Sequence, residues 1–397
     1  MTSNFREYFS VLMAEVPDME EDIRELLNLH DNKLYHQITL KLQDIFENPL
    51  INQKDFPYQI YQSYISPLST KLNLLKLSQF AVHASKYLSE AQDSISFLKS
   101  ENEKIKKLRC TPSEREEATL FIQMHIAQHY LESGSPSEAK VIVRDGVKSL
   151  KQMRNVDPSV SASVYYVNSL LDKESRSYSE YYRNSLLYLS YVAHDSLPED
   201  FKVQLAFDIA LAALLGEKIF SFGNLLQHPI VDSLKASPST SWAFELLTTF
   251  NKGDLTHYDE LCVRHQAALN AQADLVQHER RLREKITIMC LLNFVSSLPS
   301  DGRIVSYDSV SERTGLSADG VELLFMKAFS LDLIRGLIDE VDRNVKVTWV
   351  APRVLTLEQV QGFKEQLDRF VCKVESASKS VDEEAIGIVS LCPTKHV

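Results

Sequence analysis

Glycine is scarce in this 397-residue chain, with only 11 occurrences, well below the usual share of about 7%. Turn-rich β folds need glycine and helices tolerate it poorly, so its scarcity favours helix. Cysteine is equally uninformative as a scaffold. Cys110, Cys262, Cys290, Cys372 and Cys392 are odd in number, far apart and without any C-x-x-C spacing. Such thiols suit a reduced cytosolic or nuclear setting, not a disulfide framework or a zinc knuckle. No apolar run approaches the roughly 18 residues that would span a bilayer. The opening MTSNFREYFS has no basic segment followed by an apolar stretch, so no secretory signal is expected.

Catalytic motifs are missing too. There is no phosphate-cradling G-x-x-x-x-G-K, no G-x-S-x-G elbow and no G-x-G-x-x-G. His125 and His129 stand one helical turn apart in HIAQH, but Ile126 occupies the place where a zinc peptidase carries its glutamate base. His257, Cys262 and His265 lack an evident fourth ligand. No metal, cofactor or enzymatic activity is expected. The net charge of −11 disfavours general polyanion binding.

What the chain does contain is helix grammar. Thr111–Glu114 (TPSE) and Ser135–Glu138 (SPSE) are capping boxes with proline at the first helical position, and Asp157 and Ser196 open weaker versions. Gly134 and Gly253 close helices. Helical pairs therefore begin near 112, 157, 198 and 237, which predicts a mainly α, right-handed solenoid of tetratricopeptide-like repeats over 111–270. Residues 1–110 form a helix-prone region with interruptions near Pro49, Pro57 and Pro67.

After Ala271 a single long amphipathic helix is expected, then a short element at Ser306–Thr314, and a helix with Val321, Leu324, Phe325, Ala328 and Phe329 turned inward. The alternating segment from Ile338 to Leu355 reads as a β-hairpin. This order is that of a winged helix over 271–355, with Val345, Val347 and Trp349 completing its core. Its outer edge either accepts a strand from a neighbour or is shielded by Asp339, Glu340, Asp342 and Lys346. A terminal helix over 356–381 follows, opened by a capping box at Thr356, and 382–397 reads as a flexible tail. Leu357, Val360, Lys364, Leu367, Val371, Val374, Ser378 and Val381 recur in steps of three and four, a seam suited to a helix bundle.

Winged helices often read DNA. Here the candidate reading helix offers Lys327 alone against Asp319, Glu322 and Asp332, so its surface repels DNA. The basic runs KIKKLR (Lys104–Arg109) and ERRLREK (Glu279–Lys285) are interleaved with or flanked by glutamate, which favours a solvated or partner-facing helix face.

Helical pairs ending in a winged helix resemble the PCI module of the proteasome lid, the signalosome and a translation initiation factor complex. Leu214–Leu234, Phe244–Leu255, and VELLFMKAFSLDLIRGLIDEVD followed by VTWVAPRVL are closer still. They are similar to PCI-containing non-ATPase subunits of the proteasome regulatory particle over roughly 110–380, with the PCI module at about 182–355. The resemblance implies a non-catalytic lid scaffold in the cytoplasm and nucleus that supports ubiquitin-dependent protein degradation. It implies an arc contact within 317–350, carried by Val345, Lys346, Val347 and Trp349. It also implies a bundle contact through Leu357, Val360, Leu367, Val371 and Val374. The partners would be other lid subunits and the particle's ubiquitin receptor, in a hetero-oligomer without nucleic acid or membrane. The alternative is a PCI scaffold of mRNA export or translation initiation that contacts RNA.

Overall fold

The computed structural model describes residues 4–15, 19–48, 51, 56–88, 90–298, 303–352 and 357–391. Two compact units result. The first comprises Met1–Ile219, Asp232–Phe244 and Asn270–Glu279, and the second Phe220–Val231, Glu245–Leu269 and Arg280–Val397.

The first unit is built of helices. Glu20–Asp31 and Tyr35–Glu47 pair near its start, and Leu74–Ser85 and Ala91–Lys107 follow. Then come Pro112–Glu132 with Pro136–Gln152, Pro158–Glu174 with Tyr178–Tyr191, and Glu199–Leu215. Pro112–Glu132 and Pro158–Glu174 start where the capping residues place them, whereas Glu199–Leu215 follows Pro198 without a side-chain cap and Ser196 turns back to the Ala193 carbonyl. Thr111 accepts the Glu114 N–H, and Asp157 accepts the Ser159 N–H at 2.8 Å. The helix Pro112–Glu132 packs on Ala91–Lys107, Pro136–Gln152 and Pro158–Glu174, the neighbour-on-neighbour contact of a repeat array. One apolar cluster runs from Phe9 to Val167. The helical run does break off just after Pro67, between Leu68 and Leu74. Pro57 lies in the first turn of Phe56–Ile60 and Pro67 inside the 3-10 turn Ser66–Leu68, where a missing N–H does no harm. Pro49 lies outside the described residues.

Ser135 does not cap its helix as expected. Its backbone N–H reaches the Tyr130 carbonyl at 2.9 Å while Gly134 N–H reaches Leu131, a Schellman closure of the preceding helix. The same pair of bonds closes helices at Lys33 (φ 55°), Arg176 (φ 55°) and Asp332 (φ 54°). A glycine-poor chain thus turns left-handed on ordinary side chains.

In the second unit, Asp254 accepts the His257 N–H at 3.1 Å and opens Leu255–Arg264. The long helix expected after Ala271 is two, Ala273–Gln277, which belongs to the first unit, and Glu279–Ser297, which belongs to the second from Arg280 on, separated at His278. Strand β1 (Ile304–Ser306) precedes the helix Tyr307–Thr314. Then come the helix Ala318–Ser330, β2 (Ile334–Asp339) and β3 (Asn344–Val350). Val321, Leu324, Phe325 and Ala328 are buried as expected, and Phe329 is half-buried. The protein is therefore mainly helical, with repeats followed by a winged helix. No helix among the described residues is long and apolar enough to cross a membrane.

Candidate protein-interaction interface

The sheet is antiparallel in the order β1–β3–β2. This corrects the expected edge. Strand β3, which carries Val345, Lys346, Val347 and Trp349, is central, because β1 pairs Ile304 with Lys346 and Ser306 with Asn344. Val345 (0% exposed) and Val347 (5%) point into the core and cannot meet a partner. Lys346 and Trp349 remain accessible. The outer edge belongs to β2, where Leu337 is exposed, and a register shift at Arg335/Gly336 bends the strand.

Trp349 ends the buried face instead of completing it. The Arg335 guanidinium lies 4.7 Å from its ring centroid and forks onto Asp332 at 2.8 and 3.0 Å. That fork lowers the Asp332 carboxyl below its usual range and raises Arg335. A stacked Trp–Arg pair beside exposed Leu337 has the composition of an interface anchor.

The outward groups of the winged helix are largely apolar or acidic. On Ala318–Ser330 the outward residues include Leu323 and Met326, and Lys327 is paired with Glu284 at 3.1 Å. The wing tip carries Asp339, Glu340 and Asp342, with the Val341 and Asp342 N–H groups held by Asp339. Base edges and phosphates would meet apolar and acidic groups there.

The terminal helix runs from Leu357 to Leu391, about 52 Å at 1.5 Å per residue. It continues past Val381, where the seam reading ended; Glu383, Glu384 and Ala385 are strong helix formers. The opening Thr356 lies outside the described residues, as do residues 392–397 and the Leu357 side chain. Val360, Leu367, Val371 and Val374 are each about half exposed, and Phe363 and Phe370 more so. From Val360 to Val381 every residue except Gly362 is exposed. Exposed apolar stripes of this length are rare on monomeric proteins.

The histidines of HIAQH have local partners. His125 bonds Gln128 at 3.2 Å with its ring on Phe121, and His129 bonds Glu132 at 2.9 Å. Burial holds His125 down to about 3. His257 and His265 face Glu260 and Glu245. Among the described residues no three His, Cys, Asp or Glu side chains are grouped to hold a metal ion.

The family described as PSD13 N-terminal repeats matches residues 22–247. The chain is 41% identical to 26S proteasome non-ATPase regulatory subunit 13 homolog A of Arabidopsis thaliana, over 97% of this chain and 99% of that protein. The chain belongs to the 26S proteasome non-ATPase regulatory subunit 13 family. It is also 29% identical to the 26S proteasome regulatory subunit RPN9 of Saccharomyces cerevisiae, over 95% of this chain and 96% of that protein. Similarity to eukaryotic translation initiation factor 3 subunit M of Nematostella vectensis is partial, 24% over 40% of this chain and 38% of that protein. The family's repeats start at residue 22, well before residue 111, where the sequence reading began them.

Proposed function

We propose that this chain is a non-catalytic scaffold subunit of the 26S proteasome regulatory particle lid, acting in the cytoplasm and nucleus in ubiquitin-dependent protein degradation. The observation that carries the reading is near full-length similarity to a relative named as a non-ATPase regulatory subunit of that particle. Two surfaces would hold neighbouring lid subunits. One is the winged-helix sheet, through Lys346, Trp349 and the β2 edge. The other is the terminal helix, through Leu357, Val360, Leu367, Val371 and Val374. Covering a half-exposed Leu or Val on that helix contributes on the order of 1 kcal/mol each, so several together give a firm attachment. The ubiquitin receptor of the particle is a further partner.

The test replaces Leu367 and Val371 together by Asp and isolates the particle through another subunit. Both side chains are half exposed, so the variant keeps its fold. It should be lost from the particle while its circular dichroism is unchanged. Normal incorporation would remove the terminal helix from the reading, and absence of the unaltered chain from purified particles would remove the scaffold role itself.

A further inference from the structure

The basic run KIKKLR serves neither surface just described. It ends the helix Ala91–Lys107, and Lys104 and Lys106 within it reach Glu101 and Glu103. The Lys106–Glu103 pair is exposed on both sides and so holds Lys106 only loosely. Beside this helix end lies a cleft of about 410 Å³. Its floor is one face of Pro112–Glu132, since Arg115, Thr119 and Gln123 recur at the four-residue helical spacing. Lys106 lines one side, and Ser149 and Gln152 line another.

Arg115 is anchored, with Nη2 donating to the Leu108 carbonyl at 3.1 Å. Its Nε and the Thr119 Oγ1 are buried atoms without a hydrogen-bond partner. Buried polar groups are paired in the great majority of cases, and leaving a donor unmade costs about 1–3 kcal/mol. Two such groups, one turn apart in one cleft, call for an acceptor. Lys106 and Arg115 outweigh Glu116, the one acid of the lining, by a single positive charge. Two helices, Ala91–Lys107 and Pro136–Gln152, end here, and their last carbonyls bring partial negative charge. The site therefore suits a singly charged anion better than a phosphate dianion.

We propose that the cleft binds a carboxylate presented by an acidic segment of a partner protein, a Glu or Asp side chain. Arg115 Nε–H and the Thr119 hydroxyl donate to its oxygens, and Lys106 supplies the opposite charge. A lone carboxylic acid has too few atoms to bind firmly, so the group must arrive on a larger contact.

The experiment titrates the full-length chain with an N-acetylated tetraglutamate peptide, its tetraglutamine counterpart and inorganic phosphate. Variants are Thr119→Val, which keeps shape without the hydroxyl, and Arg115→Lys, which keeps charge without Nε–H. The glutamate peptide should bind and the glutamine peptide should not. Thr119→Val should weaken binding about threefold and Arg115→Lys about tenfold. If Arg115→Lys disturbs the fold by freeing Leu108, Thr119→Val decides alone. Equal binding of both peptides, no binding of the glutamate peptide, unchanged binding to Thr119→Val, or stronger binding of phosphate than of the peptide would each overturn the proposal.

Discussion

Gly253 lies against the backbone of Cys290. A Cβ on Gly253 would stand 2.6 Å from the Cys290 nitrogen and 2.7 Å from its Cα. The turn is held there from both sides, because Asn293, on the same helix as Cys290, donates to the carbonyls of Asn251 and Lys252. Gly134 shares the left-handed backbone (φ +75°) but has open space around it. Gly134→Ala should therefore cost only the backbone strain, about 1 kcal/mol. Gly253→Ala must also move a helix backbone and should cost roughly 3 kcal/mol or more. Thermal unfolding of the two variants side by side checks the difference, and equal losses would mean that the turn does not press on the helix.

Lys33 gives the opposite case. Its φ of 55° is left-handed, its side chain is exposed, and its N–H and that of Leu34 close the helix Glu20–Asp31 onto His30 and Leu29. Lys33→Gly keeps those bonds and removes the Cβ penalty, so it should stabilise the first unit by up to about 1 kcal/mol. A raised melting temperature is the expected readout.

Val345 and Lys346 are adjacent on β3 but point to opposite faces. Val345 is fully buried opposite Val305 and Ile338, while Lys346 is exposed. Val345→Asp should unfold the winged helix, at a cost on the order of 4 kcal/mol for an unpaired buried charge. Lys346→Glu should leave near-native circular dichroism, and any effect on assembly would then be an interface effect.

Two helix starts were legible because capping is local chemistry: Thr111 and Asp157 reach amides only two or three residues ahead, while Ser135 and Ser196 make no such bond. The winged helix was legible from its order of elements and the alternation of Val345 and Val347. Strand β1 was not, since three residues are too few to show a period, and missing it turned a central strand into an edge. The break at His278 was equally hidden. Its ring meets Tyr178 edge-on at 6.5 Å, a tertiary contact that no pattern along the chain records. Arg115 and Thr119 show helical spacing in the sequence, but only the packed structure leaves their buried donors unpaired.

Lys285 gives the second unit a pH dependence. Its ammonium is buried, 5.6 Å from the Phe220 ring centroid and 5.3 Å from that of Phe222. Burial, with repulsion from Arg281 adding to it, pushes its pKa down to about 7. In the unfolded chain the group returns to about 10.4. Between those values the unfolded chain holds a proton that the folded chain has released, so stability rises with pH from about 7 toward 10. Below about 7 both states are charged and the full desolvation cost remains. Lys285→Met keeps the unbranched stem against the two rings and removes the charge. Urea unfolding at pH 7 and pH 9 should show the unaltered protein gaining as much as a few kcal/mol, and the variant gaining much less. An equal gain in both proteins would assign the pH dependence to other groups.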